Sequence, residues 1–252
     1  MALTAEQRIE KMHIDLMKHS DFVAYSGILM IGETKVCDKT PTAYTNGRDV
    51  IYGREFISKL DDAELRGLIL HEAKHKMYRH LTMWHHLFKR NPNKANMACD
   101  YVINLELVDM DTHQQVLAMP TVEGKAVGLV DERFRGMNTK QVFDILKEEE
   151  PEDGYDWRNK GFDIHDWEGA QEMDAKEKEQ LAKDIDQALR QGAILAGKMS
   201  GNVPREITDA LQAKVDWRDA LREFVNSFCM DKDESTWRRP SRRWIGQDVY
   251  MP

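Results

Sequence analysis

The sequence has few cysteines and no long hydrophobic run, and both deficits narrow what the protein can be. Its three cysteines, Cys37, Cys99 and Cys229, are widely spaced and form no CxxC pair. They predict neither a disulfide framework nor a cysteine-ligated zinc site. No run approaches the roughly 18 apolar residues of a membrane-spanning helix, and residues 1–20 lack the apolar centre of a signal peptide. We therefore expect a cytoplasmic protein.

The sequence also lacks a net positive charge. The 252 residues carry a net charge of -8, with 32% charged and 41% hydrophobic residues. This composition is typical of globular proteins and unlike that of disordered chains. An acidic balance argues against nucleic-acid binding over the whole surface, so nucleic acid is not the expected partner.

The N-terminal part of the sequence contains signals for one helix and a small sheet. A capping-box pattern predicts an amphipathic helix over residues 4–20. The apolar run from Gly27 to Gly32 is typical of a short buried strand. Asn46-Gly47 lies between two β-forming stretches and predicts a hairpin over residues 42–52. We expect the strand at residues 50–52 to pair with an extended substrate.

The stretch His71-Glu72-Ala73-Lys74-His75 has the HExxH pattern and is the most informative part of the sequence. No Gly or Pro interrupts residues 68–90, so we predict one long helix there. Residues four apart share a helix face, so His71 and His75 can bind one metal ion. Glu72 lies beside them, as does the general base of zinc metallopeptidases, which takes a proton from a metal-bound water.

Two of the histidines that follow the motif on the predicted helix, His80 and His86, are not expected to bind the metal. His80 falls on the packing side of the predicted helix, opposite His71 and His75. His86 projects from the metal side, but it lies about 16 Å beyond His75 along the helix axis. The third ligand therefore has to come from another element.

The next predicted helix, residues 95–108, offers that ligand. It is apolar except for a polar stripe of Asn96, Asp100 and Asn104, spaced four residues apart, and for Glu106 outside the stripe. Burying an unpaired carboxylate is costly, so Asp100 should face a cation, and we favour it as the third ligand. Asn96 and Asn104 are candidates for supporting this acid.

Other residues keep alternative roles open. Glu106 and His165 are the alternatives to Asp100 as third ligand. His165 lies between carboxylates in a predicted loop, where it could also stabilise an oxyanion or simply be solvated. Tyr101, like Tyr44 and Tyr52, could donate a hydrogen bond to a tetrahedral intermediate.

The C-terminal part of the sequence is predicted to be mostly helical. We divide the chain into a core over residues 1–150 and a helical extension over residues 151–252, packed on that core. The extension ends in an Arg-rich arm, residues 238–243, which contains four arginines flanked by tryptophans. In an acidic protein such an arm is expected to dock on the protein's own carboxylates or on a protein partner. The helices of the extension are predicted over residues 174–198, 205–213 and 217–228.

Taken in order, these features resemble a family of predicted metal-dependent peptidases found in bacteria and their phages. The resemblance implies that His71 and His75 are zinc ligands, that Glu72 is the catalytic acid and base, and that Asp100 is the acidic ligand. Family members usually continue into a von Willebrand A-like domain, whereas the given sequence ends at Pro252, which is compatible with a natural short form and with part of a longer protein. Lys74 and Lys76 are unusual for the family, and we expect them to extend toward solvent. The resemblance is carried by residues 45–48 with Tyr52, 67–80, 96–104, 133–136, 215–218 and 237–243.

The sequence thus predicts an α+β, mostly helical fold. We expect a zincin-like core with a small N-terminal sheet and an HExxH helix packed on further helices. The expected function is that of a zinc-dependent peptidase, which holds one Zn²⁺ per chain and hydrolyses protein or peptide substrates with a water activated by Glu72. The alternative is a non-catalytic module that holds zinc and recognises a protein partner. A weaker third possibility is binding of single-stranded nucleic acid through the Arg-rich arm.

Overall fold

The computed structural model describes residues 3–122, 125–126, 128–148, 163–199 and 201–211. All of them belong to one compact unit, Met1–Leu211. The helix predicted over residues 217–228 and the Arg-rich arm lie outside the described residues. The division of the chain at residue 150 stays a prediction.

The described residues form a mostly helical α+β structure, which confirms the predicted fold class. The strands are β1 (Thr34–Cys37), β2 (Ala43–Thr45), β3 (Val50–Gly53), β4 (Thr121–Val122), β5 (Lys125–Ala126) and β6 (Asp163–His165). The helices are α1 (Ala5–Lys18), α2 (Ser26–Leu29), α3 (Arg54–Lys59), α4 (Asp62–Met77), α5 (His80–Met83), α6 (His85–Phe88), α7 (Pro92–Met110), α8 (Thr139–Glu148), α9 (Trp167–Glu172), α10 (Ala175–Met199) and α11 (Arg205–Leu211). None of these helices is long and apolar enough to cross a membrane.

Four strands form the main sheet, in the order β1-β3-β2-β6. The antiparallel pair β2 and β3 is the predicted hairpin, with Thr45 opposite Val50. β1 joins β3 in parallel, and β6 joins β2 in parallel. The strand at residues 50–52 therefore has neighbours on both sides, so the prediction that it pairs with a substrate is wrong. β6 comes from a segment that the sequence predicted to be a loop.

The apolar run between Gly27 and Gly32 does not form the predicted strand. Its first residues form α2, a short helix that packs against α10. A side chain at Gly27 would place its Cβ 2.3 Å from the backbone oxygen of Ala188, so only glycine permits this approach. Only Ile28 and Leu29 of the run are buried, whereas Met30 is 72% exposed, and a contact with a distant helix decides the conformation of its first residues.

The helix that carries the motif is shorter than predicted. α4 begins with a capping box in which the Asp61 and Glu64 side chains each accept from the other's backbone N–H. It ends at Met77, because Arg79 takes a left-handed conformation with φ 53°. The Arg79 guanidinium donates to the Ala182 carbonyl and pairs with a carboxylate on α10. These long-range contacts explain why the helix ends here although the sequence has no Gly or Pro at this point. The prediction of one helix over residues 68–90 is wrong.

α4 lies at the centre of the core. Its apolar side chains pack against α1, α2, α7 and the sheet, and almost all of its residues are buried. A second apolar cluster, between α7 and α8, includes Tyr101 and Phe134. The motif is therefore held inside the protein by rigid elements on several sides.

Candidate metal centre

The side chains of the two motif histidines lie next to each other within the core. Their positions four residues apart on α4 give both rings the same direction, as expected for this spacing. The Nε2 atoms of His71 and His75 are 2.9 Å apart, and both residues are fully buried. Both Nε2 atoms thus border the same small space.

Asp100 reaches this space from α7, the helix that packs against α4. Its Oδ1 atom lies 3.5 Å from His75 Nε2 and 4.0 Å from His71 Nε2, and the residue is 5% exposed. One ligand atom from each of the three residues lies within 4.8 Å of the other two. The residue favoured as third ligand is brought to the motif.

His165 approaches the same space from β6. Its Nε2 atom is 3.1 Å from His75 Nε2 and 3.6 Å from Asp100 Oδ1. Its side chain is 1% exposed, so it is not the solvated loop histidine that one reading of the sequence allowed. The sequence left His165 open as an alternative ligand but did not predict β6, which pairs with a strand about 120 residues earlier.

The orientation of the His71 ring is fixed by Asn104, one turn beyond Asp100 on α7. His71 Nδ1 is 2.9 Å from Asn104 Oδ1, and Asn104 Nδ2 donates to the Leu129 carbonyl at 3.2 Å. This second bond sets the amide orientation, so Oδ1 accepts from a protonated Nδ1. His71 Nε2 then carries the lone pair that a metal ion needs. Asn104, which was predicted to support Asp100, therefore supports His71 instead.

The His75 ring has a corresponding partner in His80. The two Nδ1 atoms are 3.1 Å apart, and His80 Nε2 is 3.4 Å from Thr139 Oγ1. Burial lowers the pKa of His80 to about 3, so its ring is neutral. It can accept from His75 Nδ1 and donate to Thr139, which leaves His75 Nε2 as a lone pair. The sequence placed His80 on the packing side, and the break at Arg79 brings it to the motif instead.

The chemistry of these donors fits a divalent metal ion. In a tetrahedral zinc site with bonds of about 2.0–2.1 Å, neighbouring ligand atoms lie about 3.3 Å apart. The separations that join His75 Nε2 or Asp100 Oδ1 to each other and to the Nε2 atoms of His71 and His165 are 2.9 to 4.0 Å. Imidazole lone pairs and a carboxylate would repel one another in a buried space without a cation. Histidine nitrogens with one carboxylate are typical ligands of zinc.

Glu72, the second residue of the motif, is fully buried. Burial, together with the nearby charge of Glu72, raises the pKa of the Tyr52 phenol on β3. Burial also lowers the pKa of Lys76 to about 8, an effect that Glu72 and Asp49 oppose. Glu72 therefore acts electrostatically on Tyr52 of the sheet and on Lys76 of its own helix.

The two lysines of the motif region do not reach solvent. Lys74 is fully buried, and its Nζ lies 2.7 Å from Glu106 Oε2 and 3.2 Å from Glu206 Oε1. Lys76 Nζ donates to the Ile31 carbonyl at 2.7 Å. The expectation that these side chains extend toward solvent is wrong, because α4 is covered on all sides. Both point away from the ligand atoms.

The remaining sequence candidates have other contacts. Glu106, an alternative third ligand, accepts from Lys74 and from the Tyr78 hydroxyl. Asn96 accepts from Trp167 Nε1 at 2.6 Å, so it supports the helix that follows His165. The Tyr101 ring packs edge-on against Phe134 at 4.8 Å between ring centroids, within the second apolar cluster.

A cleft of about 570 Å³ lies beside the centre. His165 contributes to its wall and also to the group of donors. Tyr44, from β2, lies in the same wall and is partly exposed. The lining residues are Lys39, Thr40, Pro41, Tyr44, Phe88, His165, Asp166, Trp167 and Glu168.

Comparison with known protein families agrees with this geometry. A family model described as "Putative metallopeptidase domain" matches residues 4–252, which is nearly the whole chain. Neither the comparison with curated proteins nor that with solved structures finds a match. Because the match extends over almost the full sequence, the chain belongs to the putative metallopeptidase domain family.

Proposed function

We propose that the protein is a zinc-dependent peptidase with a zincin-like core. The observation that carries this proposal is the convergence of His71 Nε2, His75 Nε2 and Asp100 Oδ1 in a buried space, with the fully buried Glu72 next to His71 in the sequence. Family membership supports a metal-dependent peptidase acting on proteins or peptides. Imidazole and carboxylate ligands support zinc as the ion, one per chain.

In this proposal, some residues of the chain hold the metal ion and another transfers protons. His71, His75 and Asp100 hold the metal, and Asn104 and His80 keep the two rings in the binding tautomer. A zinc ion in such a site polarises the scissile carbonyl and acidifies a water molecule. Glu72 accepts the proton of the attacking water and then donates it to the leaving amine.

The cleft beside His165 is the proposed substrate site. It is large enough for several side chains of an extended peptide, and its wall combines the rings of Tyr44, Phe88 and Trp167 with charged groups. Folded proteins would not enter such a cleft, so the proposed substrates are unfolded chains or exposed loops. A cytoplasmic location and a protein partner for the Arg-rich arm, residues 238–243, stay predictions.

Variants of Glu72 and His71 test the proposal. We expect the purified protein to contain one zinc per chain by elemental analysis and to hydrolyse an unfolded, fluorescently labelled protein. Glu72→Gln should keep the zinc and lose hydrolysis by roughly 100-fold or more, because the proton acceptor is gone. His71→Ala should lose both, while Glu10→Gln, an exposed change on α1, should alter neither. Wild-type protein without stoichiometric zinc would refute the proposal.

A second candidate function is supported by the position of His165. Four protein ligands close a zinc site, as they do in structural zinc sites, whereas catalytic sites keep one position open. The second candidate is therefore a module that holds zinc and recognises a protein partner without hydrolysis. Full biological activity of a Glu72→Gln protein would favour this module over the peptidase.

A further inference from the structure

We infer that His165 is a fourth protein ligand of the metal and that it closes the centre to substrate until it is displaced. This inference rests on the proposed function, because it concerns the same metal. His165 Nε2 lies 3.1 Å from His75 Nε2 and 3.6 Å from Asp100 Oδ1, the separations expected of ligands that share one ion. Its ring centroid is 4.2 Å from that of His75.

The consequence for catalysis follows from coordination number. Zinc in catalytic sites has three protein ligands and keeps a position for water or substrate. With His71, His75 and Asp100 already in place, a fourth nitrogen occupies that position. His165 has to leave before a peptide carbonyl can take its place.

The segment that carries His165 also covers a sheet edge. β6 pairs in parallel with β2 over only three residues, with His165 opposite Thr45, and Asp166 N–H donates to the Thr45 carbonyl at 2.9 Å. An edge beside a cleft is where an extended peptide adds to a sheet by backbone hydrogen bonds. β6 thus occupies the edge of β2, and its His165 takes a coordination position on the metal. A bound substrate would take both places.

The two ends of this segment, β6 and the start of α9, are held by different contacts. After β6, the Trp167 ring stacks on Phe88 with centroids 4.8 Å apart, and its Nε1 donates to Asn96. These contacts anchor the start of α9. β6 is only three residues long and is held by its pairing with β2, so we expect it to leave the edge while Trp167 stays in place. His165 lines the cleft, whereas His71, His75 and Asp100 do not, so we expect its departure to open the metal to the cleft.

Cobalt-substituted protein tests the inference without relying on activity. The variants are His165→Ala and His165→Gln, which preserves the size of the side chain, with His113→Ala as an exposed control. We expect the two His165 variants to keep one cobalt per chain, to bind it at least tenfold more weakly in chelator competition, and to show a visible spectrum that azide changes. Wild type and His113→Ala should not respond to azide, because no coordination position is open.

Hydrolysis by the zinc-loaded proteins gives a second readout. If His165 blocks the site, both His165 variants should cleave an unfolded substrate several-fold faster than wild type at saturating zinc. Unchanged cobalt affinity and spectrum in both variants would overturn the inference, as would a wild-type spectrum that responds to azide.

These results separate the inference from the proposed function. Azide-responsive wild type with hydrolysis that depends on Glu72 overturns the role of His165 and leaves the peptidase standing. The expected cobalt spectra without any Glu72-dependent hydrolysis support the fourth ligand and refute the peptidase.

Discussion

Replacement of Asn104 by leucine should weaken metal binding although Asn104 is not a metal ligand. Its Oδ1 lies 2.9 Å from His71 Nδ1, and its Nδ2 donates to the Leu129 carbonyl, both within the buried core. Leucine fills a similar volume but cannot accept a hydrogen bond. The His71 ring then loses the contact that selects its tautomer and orientation. Such supporting contacts are worth about 10–100-fold in metal affinity, or about 1.4–2.8 kcal/mol.

Two measurements isolate this effect from a general loss of stability. Competition with a chelator gives the zinc dissociation constant of each protein directly. Thermal unfolding with and without zinc gives the stabilisation by binding, which is about 4.1 kcal/mol at 1,000 times the dissociation constant. A 100-fold weaker site at the same zinc concentration would retain only about 1.4 kcal/mol of it.

Asn93→Leu is the matched control, because Asn93 lies in the first turn of α7, about 16 Å along the helix axis from Asn104. This control should leave zinc affinity unchanged. The metal-free Asn104→Leu protein should also lose about 1–3 kcal/mol of unfolding free energy, since a buried donor and a buried carbonyl lose their partner. Zinc affinity equal to that of wild type would refute the role of Asn104 in orienting His71 and would leave it a packing role alone.

Three further changes test the fold around the site. Lys74→Met should lower the unfolding free energy by about 2–4 kcal/mol in urea denaturation, because it leaves two carboxylates without their cation; those carboxylates retain 31% and 21% exposure, which moderates the loss. Lys183→Met removes an exposed pair and should cost below about 0.5 kcal/mol. Gly192→Ala should destabilise by about 1–3 kcal/mol, because its Cβ would lie 1.9 Å from a backbone oxygen, whereas Gly197→Ala on the same helix meets nothing and should stabilise by about 0.5 kcal/mol. Burial lowers the pKa of His13, so the unfolded chain binds its proton more readily and stability should fall as pH drops through about 6.5; His13→Gln should reduce that slope.

Each of these predictions has an outcome that contradicts it. Equal losses for Lys74→Met and Lys183→Met would mean that the buried ion cluster contributes nothing beyond a surface pair. The same sign for both glycine changes would contradict the close packing of α10 on the N-terminal helices. An unchanged pH dependence in His13→Gln would show that other groups account for the acid sensitivity.

The sequence predicted which residues lie close together at the candidate metal centre better than it predicted the segments that carry them. Spacing alone placed His71 and His75 on one face of a helix, and the cost of burying a carboxylate singled out Asp100. Both arguments depend on local periodicity or on a general energetic rule, so they survive changes in tertiary detail. The predicted hairpin is confirmed for the same reason, since Asn-Gly between β-forming residues sets its own turn.

The errors fall where distant contacts override local preference. The Gly27 to Gly32 run is apolar enough for a strand, yet its approach to α10 makes it helical. Arg79 has no sequence signal for a left-handed conformation, and its anchor on α10 lies about 100 residues later in the chain. The wrong prediction for His80 followed from the missed break at Arg79, because a helical wheel assumes an unbroken helix.

By itself, the sequence determined the HExxH motif, the shared helix face of His71 and His75, and the family. Tertiary structure alone decided that Asn104 and His80 orient the two rings and that Lys74 and Lys76 are buried away from the ligand atoms. It also decided that His165, from a strand paired across the sheet, enters the same space. Local hydrogen bonding and side-chain periodicity act within a few residues, whereas these placements depend on contacts between elements far apart in the chain. No pattern in a single sequence encodes such contacts directly.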